Sequence, residues 1–143
     1  MRLDRLSIAL AAVSGLMSLI ALVYGLYTLS TIPADPPGDG FAHGLAEGFA
    51  IGATFVGVLT ALSVTNLLRE RRQTMDRRRR VLLWVGCVFC TVGTVAFVGS
   101  LLVPAVGSFT VVLSSAGVVF VGWAVSMLTE YTLWAERHDP DVV

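Results

Sequence analysis

Residues 41–68 read FAHGLAEGFAIGATFVGVLTALSVTNLL, residues 69–80 read RERRQTMDRRRR, and residues 81–103 read VLLWVGCVFCTVGTVAFVGSLLV. Two apolar stretches of 28 and 23 residues thus flank a segment with seven arginines in twelve positions. A helix needs about 20 predominantly apolar residues to cross the hydrocarbon of a bilayer. An arginine at the bilayer centre costs about 2.5 to 3.5 kcal/mol on the insertion scale. The apolar stretches therefore read as spanning helices, and the arginine segment as a solvated connection that makes them a hairpin.

The same arithmetic applies on either side, where residues 6–29 and 105–129 form further apolar stretches of 24 and 25 residues. The four stretches hold 100 of the 143 residues, and 19 of the 20 charged residues lie outside them. With 55% hydrophobic residues, 14% charged residues and a mean hydropathy of +0.78, the composition excludes an ordinary soluble domain. The expectation is an all-α, integral membrane four-helix bundle, a single membrane domain over residues 1–143 with a polar tail at 130–143. The connections leave no room for a folded domain outside the bilayer. The first stretch exceeds the 7 to 15 residues of a signal-peptide core and no small-x-small cleavage pattern follows it, so it reads as a retained helix.

Residues 31–40, TIPADPPGDG, carry three prolines, two glycines and two aspartates, the chemistry of a turn, with Asp39 placed to cap the helix that follows. Pro104 stops the third stretch, and the short link at 104–108 returns the fourth beside it. The resulting order is up-down-up-down. Arginine distribution orients it: two precede the first span, seven sit in the central connection and one in the tail, against none in the other two connections. Short arginine-rich loops stay cytoplasmic, so both termini are expected there, in the cell membrane. Trp84 and Trp134 then fall at inner helix ends and Tyr24 and Tyr27 at an outer end, where amphipathic rings favour the headgroup zone. Ten arginines without a lysine, among many Ala, Gly and Val, point to a GC-rich prokaryotic genome. A short echo, Phe55-Val56-Gly57 and Phe120-Val121-Gly122, reads more readily as coincidence than as a tandem repeat.

Two stripes mark the second span. Gly40, Gly44, Gly48 and Gly52 recur every four residues and offer a small-xxx-small packing face, for a helix of the same bundle or of a second protein. Ser115, Gly122 and Ser126 of the fourth span are the nearest counterpart. Beside the glycines run Asp39, His43 and Glu47, again four apart and so on one side of a helix. Counted from Phe41, Glu47 lies about 9 Å into the stretch, too deep to be interfacial by default. An ionised carboxylate there must bond to a neighbour, face the bundle or hold a proton. The stripe is either a hydrogen-bonded pair that fixes register or a proton or cation site open to the outside.

Cys87 and Cys90 form a C-x-x-C inside the third span, where apolar surroundings and the lack of further cysteines favour small packing residues over redox chemistry. The cluster Arg69, Arg71, Arg72, Arg77, Arg78, Arg79 and Arg80 is the topology determinant, and is also suited to anionic lipid headgroups. A net charge of zero gives no electrostatic footprint for nucleic acid. No catalytic triad, phosphate loop or metal motif is present, so neither an enzyme nor a cofactor or metal is expected. The leading expectation is a small non-enzymatic membrane protein that packs as an accessory subunit or homo-oligomer. The alternative is a proton- or cation-coupled transporter or channel using His43 and Glu47, and a membrane thiol oxidoreductase is a distant third.

Overall fold

The computed structural model describes residues 2–33, 40–70, 76–103 and 108–138. They form four helices: α1 Arg2–Thr31, α2 Gly40–Glu70, α3 Arg77–Leu102 and α4 Phe109–His138. All four are long and apolar enough to cross a membrane, and no strand occurs among the described residues. None of the four helices contains a proline, as a ring without an N–H that clashes with the preceding turn requires. At the end of α3, Val103 turns extended (φ −115°, ψ 93°), the conformation a following proline imposes. Ser108 opens α4 by accepting the Val111 N–H on its Oγ at 3.3 Å, a serine N-cap.

The helices run beyond the apolar stretches. Arg77 to Arg80, expected in the solvated connection, form the first turn of α3, and α4 continues through the polar residues 130–138. Arginine and glutamate are good helix formers, so apolarity decides where the bilayer starts and not where the helix does. Asp35, Asp39, Arg71, Arg72 and residues 104–107 lie outside the described residues.

α2 and α3 form the centre, α1 packs on both and α4 packs on both, while α1 and α4 do not touch among the described residues. The central pair is accordingly more enclosed, with 44% and 50% of their most apolar windows buried against 28% for each flanking helix. One buried cluster gathers Ala53, Val56, Leu59, Cys90, Phe97, Val112 and Val119; a second gathers Ala11, Val64, Leu67, Leu83 and Cys87. The outward faces are as apolar as the interior: Leu19, Val92 and Leu113 are 57%, 58% and 64% exposed. Helices hydrophobic on all sides need an apolar surrounding.

Glycine sets how closely the helices approach. A Cβ on Gly86 would lie 2.7 Å from the Gly122 carbonyl oxygen, and one on Gly122 would lie 2.7 Å from that of Gly86. Gly93 meets the Ser115 carbonyl at 2.9 Å, and Gly25 meets that of Ala50 at 2.7 Å. Gly57 meets Leu22. The two glycines of the Phe-Val-Gly echo thus have the same role, each admitting a neighbouring helix. Phe55 and Phe120 both point outward, but Val56 is buried and Val121 exposed, so the match stops at two of three positions.

Candidate functional site

The residues singled out on α2 occupy its first three turns. His43 is half-buried and Glu47 exposed, and no hydrogen bond or ion pair joins them among the described residues. Asp39, the third member of the stripe, lies outside the described residues. The glycine face divides. Gly52 packs on the ring of Phe97 of α3, where a Cβ would come to 3.1 Å, but Gly44 and Gly48 have nothing within 4 Å of a built Cβ. The helix contact expected at Gly44 and Gly48 is therefore not made among the described residues. Those two glycines instead line an open groove of about 280 Å³ between α2 and α4, floored by Phe97 and walled by Phe49, Phe109 and Leu113. Ser115 and Ser126, the expected counterparts on α4, are buried, and Gly122 faces α3.

The polar chemistry of the interior lies elsewhere, in a seam of hydroxyls and thiols along the middle of α3, from Cys87 to Thr94. Thr94 donates to the Cys90 carbonyl at 2.7 Å and, with its proton so committed, accepts from Thr60 of α2 at 2.7 Å. Cys90 donates its S–H to the Val119 carbonyl of α4 at 3.5 Å and accepts from Ser63 of α2 at 3.2 Å. On the other side, Ser14 of α1 meets Thr91 and lies 3.4 Å from the Cys87 sulfur. Ser18 of α1 donates to the Gly57 carbonyl of α2 at 2.8 Å, and Asn66 of α2 donates to Ser126 of α4 at 3.2 Å. Every pair of helices in contact is thus also joined by an interhelical hydrogen bond. The C-x-x-C belongs to this seam. Both thiols are free and buried, and they face different partners, Cys87 towards α1 and Cys90 towards α2 and α4.

Sequence reasoning passed over these hydroxyls because serine and threonine are tolerated anywhere in an apolar helix when they bond back to the preceding turn. The available signal was spacing: Ser14 with Ser18, Thr60 with Ser63, and Thr91 with Thr94 each share a helix face.

At the N-terminal ends of α1 and α3, a third region is basic. Arg77, Arg78 and Arg80 are exposed around the start of α3, and Trp84 of α3 donates its indole N–H to Ser7 Oγ of α1 at 3.1 Å. Among the described residues, no three His, Cys, Asp or Glu side chains come together as a metal site would require. No family profile, curated protein or solved structure matches this chain.

Proposed function

We propose that the chain is a small multi-pass integral membrane protein of non-enzymatic role, an accessory or oligomer-forming subunit that packs through the outer face of α2. In this reading the helices run up-down-up-down and the ends of the chain, with the arginine-rich connection, lie on the cytoplasmic side of the cell membrane. Contact order supports the alternation: Leu22 meets Gly57 while Gly25 meets Ala50, and Gly86 meets Gly122 while Gly93 meets Ser115. Tyr27 at one end, and Tyr131 and Trp134 at the other, are 68%, 63% and 57% exposed, as interfacial rings should be.

The same contacts bear on Glu47. Gly52 packs on Phe97, and Glu47 and Leu102, the last residue of α3, lie five residues from each. In an antiparallel pair the two are then level, with the carboxylate at the outer headgroup boundary rather than about 9 Å inside the hydrocarbon. α2, with 31 residues, is about 46 Å long at 1.5 Å per residue against a hydrocarbon core of about 30 Å, so an end standing outside is expected.

One observation carries the packing reading. Gly25, Gly57, Gly86, Gly93 and Gly122 all receive a neighbouring helix, whereas Gly44 and Gly48 border an apolar groove and receive none. Small residues at helix spacing beside a groove suit a helix from outside the chain. The test is Gly48→Leu. With no described residue against Gly48, the variant should keep its helix content and melting temperature while losing association, measured by light scattering in mild detergent and by crosslinking in membranes. A variant that associates as the parent does would overturn the packing reading.

A further inference from the structure

A second cleft, of about 480 Å³, opens between the N-terminal ends of α1 and α3. Its volume is within the roughly 300 to 1,000 Å³ of small-molecule sites, and its lining changes character along its length. Arg77 and Arg80 line it nearest the start of α3, and Val81, Val85 and Leu6 add apolar side chains. Trp84 and Ser7 complete the lining, tied across the two helices by the indole hydrogen bond at 3.1 Å.

The order on α3 is regular. Residues 77, 80, 81, 84 and 85 are spaced i, i+3, i+4, i+7 and i+8, which places them on one face of the helix. That face passes from two guanidiniums through Val81 and the Trp84 indole to Val85 over eight residues, about 12 Å. The first turn of α3 borders the cleft, and its N-cap Asp76 makes no side-chain hydrogen bond to that turn, which leaves first-turn N–H groups without a side-chain cap. Ser7 accepts the indole N–H and keeps its own O–H to donate.

We propose that this cleft binds one anionic phospholipid of the inner leaflet, a site that rests on the membrane reading above. Arg77 and Arg80 hold the phosphate through charge-assisted hydrogen bonds, for which the planar guanidinium is suited. Ser7 donates to a phosphate or headgroup oxygen, and Trp84 lies against the glycerol region as interfacial indoles do. Val81 and Leu6 flank the glycerol region beside it, and the first methylenes of the acyl chain run past the indole onto Val85. The gradient from charge to hydrocarbon matches a phospholipid end to end, and a free phosphate would leave the apolar wall without an occupant. The site is narrower than a general attraction of anionic lipid to the arginine-rich connection, because it needs α1 and only two of the arginines.

The full chain with Trp123→Phe and Trp134→Phe leaves Trp84 as the single tryptophan. It is placed in bilayer discs of phosphatidylcholine with increasing fractions of acyl-brominated phosphatidylglycerol or, in parallel, acyl-brominated phosphatidylcholine. Bromine quenches Trp84 on contact. Half-maximal quenching by the anionic lipid should come at a roughly tenfold lower mole fraction than by the zwitterionic one, the order expected of two arginines near an anionic surface. Arg77→Gln with Arg80→Gln should bring the two curves together, and the paired Lys replacements should keep part of the difference. Coincident curves in the parent would overturn the site while leaving the membrane reading intact. No quenching by either lipid would overturn the membrane reading and the site together. Loss of the preference on adding inorganic phosphate, but not chloride of equal ionic strength, would assign the arginines to free phosphate and overturn the lipid.

Discussion

Single residues of one type behave differently here because of what lies opposite them. Gly122→Ala adds one methyl group against a carbonyl oxygen 2.7 Å away, and backbone cannot move aside as a flexible side chain can. The helices must separate, at a cost of about 1 to 3 kcal/mol. Gly44→Ala meets open space and removes a glycine from a helix interior, which is worth up to about 1 kcal/mol. Thermal melts in detergent should therefore show Gly122→Ala falling below the parent and Gly44→Ala equal to it or above. Equal melting of the two would contradict the close crossing of α3 and α4. Trp123 is a similar case, since its indole N–H is the one buried side-chain nitrogen or oxygen without a partner among the described residues. Trp123→Phe removes a group that makes no bond and should leave melting unchanged or slightly improved. The buried thiols of Cys87 and Cys90 are fully enclosed, so a maleimide should label neither in the folded protein and both after denaturation in detergent and heat. Rapid labelling of either one without unfolding would show that the seam opens, and would reinstate a thiol chemistry.

At the scale of the element, α2 differs from the rest. It carries the only charge within an apolar stretch, and on the proposed topology its start stands beyond the outer end of α3. Its 28-residue apolar stretch made the existence of the helix legible, but its length hid the depth of Glu47. A stretch longer than the bilayer does not say which of its residues lie in hydrocarbon. The Gly52–Phe97 contact is what supports an interfacial Glu47, and partners across helices leave no trace in a single sequence. The glycine face shows the same limit: periodicity suggested one continuous packing surface, yet Gly44 and Gly48 repeat as regularly as Gly52, which is packed, and only the neighbour tells them apart. The hydroxyl seam was hidden for the opposite reason, since its members were visible but too common in apolar helices to be read as a set. If Glu47 is interfacial, Glu47→Gln should change melting by no more than about 0.5 kcal/mol, with no new dependence on pH between 5 and 8. If it is a coupling group, the same variant should fold normally and abolish a pH-dependent flux of protons, sodium or organic cations in proteoliposomes. The parent is expected to show no such flux; a flux lost in the variant would replace the packing reading with a carrier.

For the whole molecule, the number and kind of helices followed from hydropathy alone, because each span must satisfy its own backbone in hydrocarbon and no shorter device does so. How the four sit together did not follow, and it is the arrangement with α2 and α3 central and α1 and α4 apart that creates both the outer groove and the arginine-rimmed cleft. Which side of a membrane each of those two features faces depends on orientation, which rests on a count: all ten arginines lie on one side of the proposed topology and none on the other. Moving even a few of them across the bilayer during insertion is costly enough for the count to determine the outcome. The enclosed native thiols provide a silent background for testing it. Asp35→Cys should react with a membrane-impermeant maleimide added to intact cells, whereas Gln73→Cys should react only after the membrane is permeabilised. Labelling of Gln73→Cys alone in intact cells would invert the molecule, placing the groove beside Gly48 on the cytoplasmic side and the lipid cleft in the outer leaflet. Labelling of both would mean that the two connections share a side, so that α2 does not cross at all. The expected pattern, Asp35→Cys labelled and Gln73→Cys shielded, requires an odd number of crossings between them, and α2 is the single helix available to supply it.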